Sequence, residues 1–325
     1  MTEPSIDDIE NQAFKLAKRI VPTPILTWTG LMKDRIIDPE TKVHFKLEIF
    51  QHTGTFKIRG AYSFLDHLKK DERDRGIVAA TGGNHGMAVA YAAKTANIQS
   101  TIVAPKSMNP FRKKMLGEYG AKVVTVDTIT EAFTEMGRLA TVDGLTELHP
   151  FEGPYLTLGT ATLGMEIVNQ VPDVEAVIVP IGGGGLASGI ASAVKKIYPK
   201  SKVYGVEPAL AHSMCLSLDA GKPVSIPGGP KSIADSLCAP YALPYSFSLC
   251  EKYLDDVVLI EDREMRQAMR LLFKQLKIAV EPAGAAATAA LLGPLKKRCQ
   301  GKTVCSIVCG SNIDHRDFSS LISSD

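Results

Sequence analysis

Four consecutive glycines, Gly182-Gly183-Gly184-Gly185, separate the apolar stretch Ala176–Pro180 from a helically patterned stretch over residues 186–195. Glycine loses more backbone freedom on folding than any other residue, so a run of four is costly where it only connects. The run makes sense where backbone must wrap a tetrahedral anion and offer it N–H groups at a helix start. No Gly-Lys-Ser/Thr follows, so a nucleotide P-loop is not expected. A strand, an anion-wrapping turn and a helix are therefore expected here.

Three other segments are of the same kind. Thr53-Gly54-Thr55-Phe56-Lys57-Ile58-Arg59-Gly60-Ala61 follows the alternating run 43–49 and places one lysine at the start of a helix. An isolated helical lysine is ordinarily a solvated one. Ala80-Thr81-Gly82-Gly83-Asn84-His85-Gly86 leads from a strand at 76–80 to a helix at 87–95, a junction suited to a carboxylate or phosphate. Val308-Cys309-Gly310-Ser311-Asn312 closes the apolar strand Thr303–Val308.

Apolar strands alternate with helical patterns along most of the chain. Strands are expected at 76–80, 100–104, 122–126, 176–180, 202–206, 257–260 and 303–308, and helices at 110–118 and 131–141 and from 157. Asn109 with Pro110 reads as a helix start, and so does Ser5. The pattern predicts an α/β fold of two open, mainly parallel sheets flanked by helices. Ligands of such sheets sit at the strand ends, where the lysine and the glycine loops fall.

Composition narrows the function classes. A net charge of +2 over 325 residues gives no basic face for nucleic acid, and Arg112-Lys113-Lys114 reads as a solvated helix face. The six cysteines have no Cys-x-x-Cys spacing, which predicts reduced thiols in a cytoplasmic protein. No stretch approaches a membrane span, and the acidic residues 2–8 give no expectation of a secretory signal.

Taken together these segments resemble the serine/threonine dehydratase family, serine racemase-like, among fold-type II pyridoxal-phosphate enzymes (tryptophan synthase β-like). The matching segments are Thr23-Pro24-Ile25-Leu26, the lysine motif, Gly83-Asn84-His85-Gly86, the tetraglycine run, Val206-Glu207-Pro208, Ile233-Ala234-Asp235, Glu281-Pro282-Ala283-Gly284 and Cys309-Gly310-Ser311-Asn312. They follow the family's order over nearly the whole chain. The resemblance implies a small mobile domain over 72–152, inserted in a large cofactor-binding domain of 1–71 plus 153–325. It also implies a homodimer and a purely catalytic module.

The site residues follow from the same resemblance. Lys57 would carry pyridoxal 5'-phosphate as a Schiff base and act as base at the substrate's α-carbon. Phe56, Asn84, Gly182, Gly183, Gly184, Gly185, Leu186, Glu281 and Cys309 would complete the cofactor site. Thr81, Gly82, Gly83, Asn84 and His85 would hold the substrate carboxylate, the His85 side chain having no chemical role. A mono- or divalent cation would sit at Glu207, Ala211 and Ser213, where Ser213 replaces an acid of the family pattern. Gly82 replaces a serine found in racemases, and Gly159-Thr160-Ala161-Thr162 lacks a usual glutamine. The implied activity is a lyase (dehydratase) of amino-acid metabolism, an ammonia-lyase acting on a small hydroxy amino acid, L-threonine or L-serine. A serine racemase, a β-replacement enzyme of the cysteine synthase kind and an inactive cofactor-binding interaction protein are the alternatives.

Overall fold

Two sheets carry the chain in the computed structural model, which describes residues 2–323. The strands are β1 (Ile25–Trp28), β2 (Lys42–Leu47), β3 (Ile77–Ala80), β4 (Ser100–Pro105), β5 (Lys122–Val126), β6 (Thr146–Glu147), β7 (Ala176–Pro180), β8 (Lys202–Pro208), β9 (Asp256–Ile260) and β10 (Thr303–Val308). Six of them form a sheet of order β1-β2-β10-β7-β8-β9, parallel except for the antiparallel β1–β2 pair. The other four form an all-parallel sheet of order β5-β4-β3-β6.

The central strands are apolar because helices cover both faces. All residues of β3, β4 and β7 are buried. Helices Pro154–Gln170 and Gly185–Ile197 pack on the larger sheet, where Gly164 lies so close to Ile190 that a Cβ would stand 2.8 Å from its carbonyl oxygen. Parallel register sets the strand ends level: Val308 pairs with Leu47, and Pro180 with Val206. The segments leaving β2, β10 and β7 therefore share one edge of the larger sheet, and β3 and β4 present their own carboxyl edge towards it.

Several expected boundaries move, each for a local reason. The run at 43–49 leaves the sheet at Leu47, and Glu48–Phe50 makes a tight 3-10 turn that sends the Glu48 carboxylate inward. The helix after the Thr81 turn begins at Asn84, three residues before its expected start. Helix Ile129–Asp143 is longer than expected, since the Thr128 side chain accepts the Glu131 N–H at 3.1 Å and Gly144 ends it at φ 70°. Strands β1 and β6 are additions. Among the described residues no helix is long and apolar enough to cross a membrane.

Candidate active site

Lys57 is the first residue of the helix Lys57–Asp66, at the carboxyl edge of the larger sheet. What holds that helix is a buried ion cluster beneath it. The Arg59 guanidinium donates to both Glu48 oxygens at 2.8 and 2.9 Å and to both Glu166 oxygens at 2.7 and 2.9 Å. Lys46 joins through Glu166 at 2.7 Å and the Thr23 carbonyl at 2.7 Å. Burial alone would lower the Arg59 pKa, but the two carboxylates outweigh it and raise it. Buried charges persist only when paired in this way.

The Lys57 amine donates to the Pro150 carbonyl oxygen at 2.7 Å and stands 5.3 Å from the Phe56 ring centroid. Burial lowers its pKa to about 8, against the opposing pull of Cys309 and Glu281. Those two neighbours mark the other walls. The Cys309 Sγ–H donates to the Ala283 carbonyl at 3.3 Å, and burial raises the pKa of that thiol. Glu281, also buried, is pushed up to about 7 by desolvation, which the charge of Arg112 opposes.

Asn84 ties the Thr81 turn to this wall. Its Nδ2 donates to Glu281 Oε1 at 2.7 Å and to Ser236 Oγ at 3.2 Å, and its Oδ1 accepts from Asn312 Nδ2 at 2.9 Å. Within the turn the Gly83 N–H donates to Thr81 Oγ1 at 2.9 Å. The His85 ring is turned inward: Nε2–H donates to the Leu148 carbonyl at 2.9 Å, and burial with nearby Lys57 depresses its pKa to about 3. His85 is thus a structural strut of the small sheet.

Gly182–Gly185 form a cradle that side chains would fill. A Cβ on Gly183 would lie 2.2 Å from the Phe151 ring, and one on Gly185 2.7 Å from the Phe151 carbonyl oxygen. Gly184 has φ +96°, which only glycine adopts without strain, and caps the helix Gly185–Ile197. Leu186, in the first turn of that helix, is buried. The N–H groups of this turn have no helical carbonyl to reach and present positive potential to an anion. Thr160, in the segment that lacks the family glutamine, donates its Oγ1–H to the Gly185 carbonyl at 2.7 Å. A substituent on Gly189 of that helix would meet the same Oγ1 at 2.1 Å.

These features fit pyridoxal phosphate. The cradle suits its phosphate, the desolvated amine suits its aldehyde, and Glu281 Oε2 is a buried polar atom with no hydrogen-bond partner among the described residues. The segments at 53–57, 81–85, 182–186, 281 and 309 converge on one place. Glu207, Ala211 and Ser213 belong to a segment that packs behind the cradle, where a Cβ on Gly184 would stand 2.6 Å from Met214 Cε. Both Glu207 oxygens accept N–H groups, from Met214 at 2.9 Å and Cys215 at 2.8 Å, and burial raises its pKa to about 8. Ser213 Oγ is buried without a hydrogen-bond partner among the described residues. Among the described residues no group of three His, Cys, Asp or Glu side chains could hold a metal.

Arg112 corrects the sequence reading. Lys113 and Lys114 are exposed, but Arg112 is buried and bridges the two sheets. It donates to Asp235 Oδ2 at 2.6 Å and to the Asn312 carbonyl at 3.0 Å, and lies 3.7 Å from Glu281 Oε2. A signal for this existed, because Arg112 shares a helix face with the buried Leu116 four residues on. A cavity of about 350 Å³ opens beside it, lined among others by Asp235, Glu281 and Asn312. Ser236, Asn312 and Phe151 are the other site residues to which sequence reasoning assigned no part.

Comparison with known proteins agrees with this geometry. The family profile “Pyridoxal-phosphate dependent enzyme” matches residues 16–310. The chain is 44% identical over 317 residues to a phenylserine dehydratase of Ralstonia pickettii, covering 98% of this chain and 96% of that one. It is 36% identical over 311 residues to an L-threonine ammonia-lyase of Thermotoga maritima, covering 95% and 76%. The solved structure of maize serine racemase superposes with a TM-score of 0.92 at 31% identity, covering 99% of this chain and 98% of that one.

Proposed function

The chain belongs to the pyridoxal-phosphate-dependent enzyme family, and on that footing we propose a hydroxy-amino-acid ammonia-lyase. It eliminates the β-hydroxyl of a hydroxy amino acid, L-threonine and L-serine among the small ones, and releases a 2-oxo acid and ammonia. The observation that carries this reading is the desolvated Lys57 amine, walled by Cys309 and Glu281.

When bound, the cofactor supplies an electron sink for the pair left as the Cα–H bond breaks. Phe56, Lys57, Asn84, Glu281, Cys309 and the 182–186 turn would hold it. The protein's own part is then positional and acid–base. Lys57 Nζ, with a pKa brought near the working range, takes the proton from the α-carbon. Thr81 and the N–H groups at 82–85 orient the substrate carboxylate at a helix start. Asn84 keeps its orientation through Glu281 and Asn312. Cys309, raised in pKa by burial, stays a neutral thiol and adds no anion to the site.

Racemisation would require a proton donor on the face opposite Lys57. Gly82 has no side chain to supply one, which supports elimination over the racemase alternative. We extend the reading to a small domain at 72–152 on a larger one of 1–71 and 153–325, to a homodimer, and to a cytoplasmic enzyme, supported by six unpaired cysteines. A cation at Glu207, the Ala211 carbonyl and Ser213 would be weakly held, because one carboxylate already accepting two N–H groups is its only charged ligand. The deciding experiment measures 2-oxo acid and ammonia from a panel of β-hydroxy amino acids of both configurations. Release from L-threonine or L-serine is expected, and no release from any member of the panel would reject the lyase.

A further inference from the structure

The cavity beside Arg112 has no part in the chemistry above. It measures about 350 Å³ and lies between the helix Pro110–Glu118, the 233–235 segment and the helix His315–Ser323. It adjoins the substrate turn, because a Cβ on Gly83 would stand 2.9 Å from Arg112 Nη1. It adjoins the cofactor wall through Glu281. That carboxyl is 2% exposed, and its two oxygens are used differently. Oε1 accepts the Asn84 Nδ2–H at 2.7 Å. Oε2 has no hydrogen-bond partner among the described residues and lies 3.7 Å from the Arg112 guanidinium.

We propose that this cavity is the vestibule through which the amino acid reaches Lys57, and that Glu281 Oε2 takes the proton from its ammonium group there. The inference rests on the lyase reading and adds a catalytic residue to it.

Three observations carry it. The cavity sets Asp235, Glu281, Asp314 and Asp317 against one cation, Arg112, so its potential draws the ammonium end of an amino acid. Secondly, Arg112 and Glu281 Oε2 stand on one wall, farther apart than a hydrogen bond. A zwitterion fits across them, its carboxylate towards Arg112 and the Gly83 turn and its ammonium towards Oε2. Thirdly, only a neutral amine has the electron pair needed to displace Lys57, so the ammonium must first lose a proton. Asp235 is held by Arg112 at 2.6 Å and the Cys309 thiol is neutral, which leaves Glu281 as the open acceptor. Desolvation, opposed by Arg112 and reinforced by Asp235, brings the Glu281 pKa to about 7, with Lys57 and Cys309 facing it from the other elements. The carboxylate is thus present above pH 7 and is lost as the pH falls through that value. The step balances without a co-reactant. An N–H bond of the ammonium breaks, its electron pair stays on nitrogen, and the proton forms an O–H bond at Oε2. That proton leaves to solvent through the cavity before the next turnover.

The pH dependence of kcat/KM tests this on the parent holoenzyme, since the ratio reports free enzyme and free substrate. With L-serine the profile should rise through about pH 7 and fall at the pKa of the substrate ammonium, because anionic Glu281 and the ammonium are the reacting forms. β-Chloro-L-alanine, whose ammonium is more acidic, should keep the acidic limb and move only the alkaline one. Glu281→Gln should lower kcat/KM for L-serine by about a hundredfold, within the range for loss of a general base. Its profile should rise instead to the amine's own pKa, and β-chloro-L-alanine should lose less. Two readouts need no turnover. The rate at which glycine changes the absorbance of the bound cofactor should follow the same two pH limits. Holoenzyme reduced with borohydride, in which Lys57 cannot be displaced, should bind L-serine in calorimetry. Glu281→Gln should weaken that binding about tenfold, the scale of one hydrogen bond to a charged group. A parent profile that rises only at the amine's own pKa would overturn the proposal, as would serine binding unchanged in the reduced variant. If no substrate yields a 2-oxo acid the lyase reading fails, and the glycine rates and the serine titration still decide the role of Glu281.

Discussion

Lys57 Nζ and the Pro150 carbonyl oxygen are 2.7 Å apart, joining the helix that leaves the six-stranded sheet to the segment that leaves the four-stranded one. The amine is therefore held by both halves of the fold. Its acidity is set by burial between them, and movement of either half changes its surroundings.

Arg59→Ala strands two carboxylates. Glu48 is fully buried and Glu166 mostly so, and each loses two hydrogen bonds to the guanidinium. Breaking a buried pair from one side costs about 3–5 kcal/mol. Urea denaturation should show a loss of that order, and Arg59→Lys should recover only part of it, because an ammonium cannot reproduce the bidentate fork. A variant as stable as the parent would mean that the cluster does not anchor the Lys57 helix.

Arg112→Leu removes the bridge between the sheets. Asp235 is well exposed and will rehydrate, so the loss falls on the Asn312 carbonyl and on Glu281. A destabilisation of about 1–3 kcal/mol is expected, the cost of leaving buried polar groups without partners. Without the opposing cation the Glu281 carboxyl should also titrate higher. The acidic limb of the pH–rate profile would move upward, and a profile that stays in place would separate Arg112 from Glu281.

His85 gives the unloaded protein a pH-dependent stability. Its folded pKa of about 3 lies below the ordinary imidazole value of 6.5, so the unfolded chain binds the extra proton between those values. Stability is fully present above pH 6.5 and falls with pH through that window. Protonation would also place a second N–H at the buried, unpartnered Nδ1. At pH 5 the contribution is about 2 kcal/mol. His85→Gln should flatten the change in urea midpoint between pH 7 and pH 5, and an equally steep change would assign it elsewhere.

The local backbone geometry around Lys57 and the glycine turns is legible in the sequence, and the reason is physical. Gly182–Gly185, Lys57 and the Thr81 turn are local arrangements in which residue type and order dictate backbone shape. Phe151, Asn312 and Arg112 act through contacts distant in sequence. Arg112 meets Asp235 across 123 positions and Asn312 across 200. No local pattern encodes such pairings. The two-residue β6 was missed because so short a strand has no period, and the run at 43–49 was overextended because Glu48 alternates correctly but turns to meet Arg59.

Gly82→Ser tests whether proton delivery is confined to the Lys57 face. Gly82 is not among the glycines with positive φ, and the nearest atom to an added Cβ is 3.9 Å away, so serine should fit without strain. The parent protein should give pyruvate from L-serine without D-serine. The variant should release some D-serine, or exchange the α-proton with solvent, because a hydroxyl now faces the substrate opposite Lys57. Chiral chromatography reads both, and substantial D-serine from the parent would promote the racemase alternative.

The Lys57 amine is expected to carry the cofactor. Protein incubated with pyridoxal phosphate, reduced with borohydride and digested should yield one cofactor-modified peptide, containing Lys57. Lys57→Ala should yield none and release no 2-oxo acid. Modification at a different lysine, or a modified peptide that persists in Lys57→Ala, would place the cofactor on another residue.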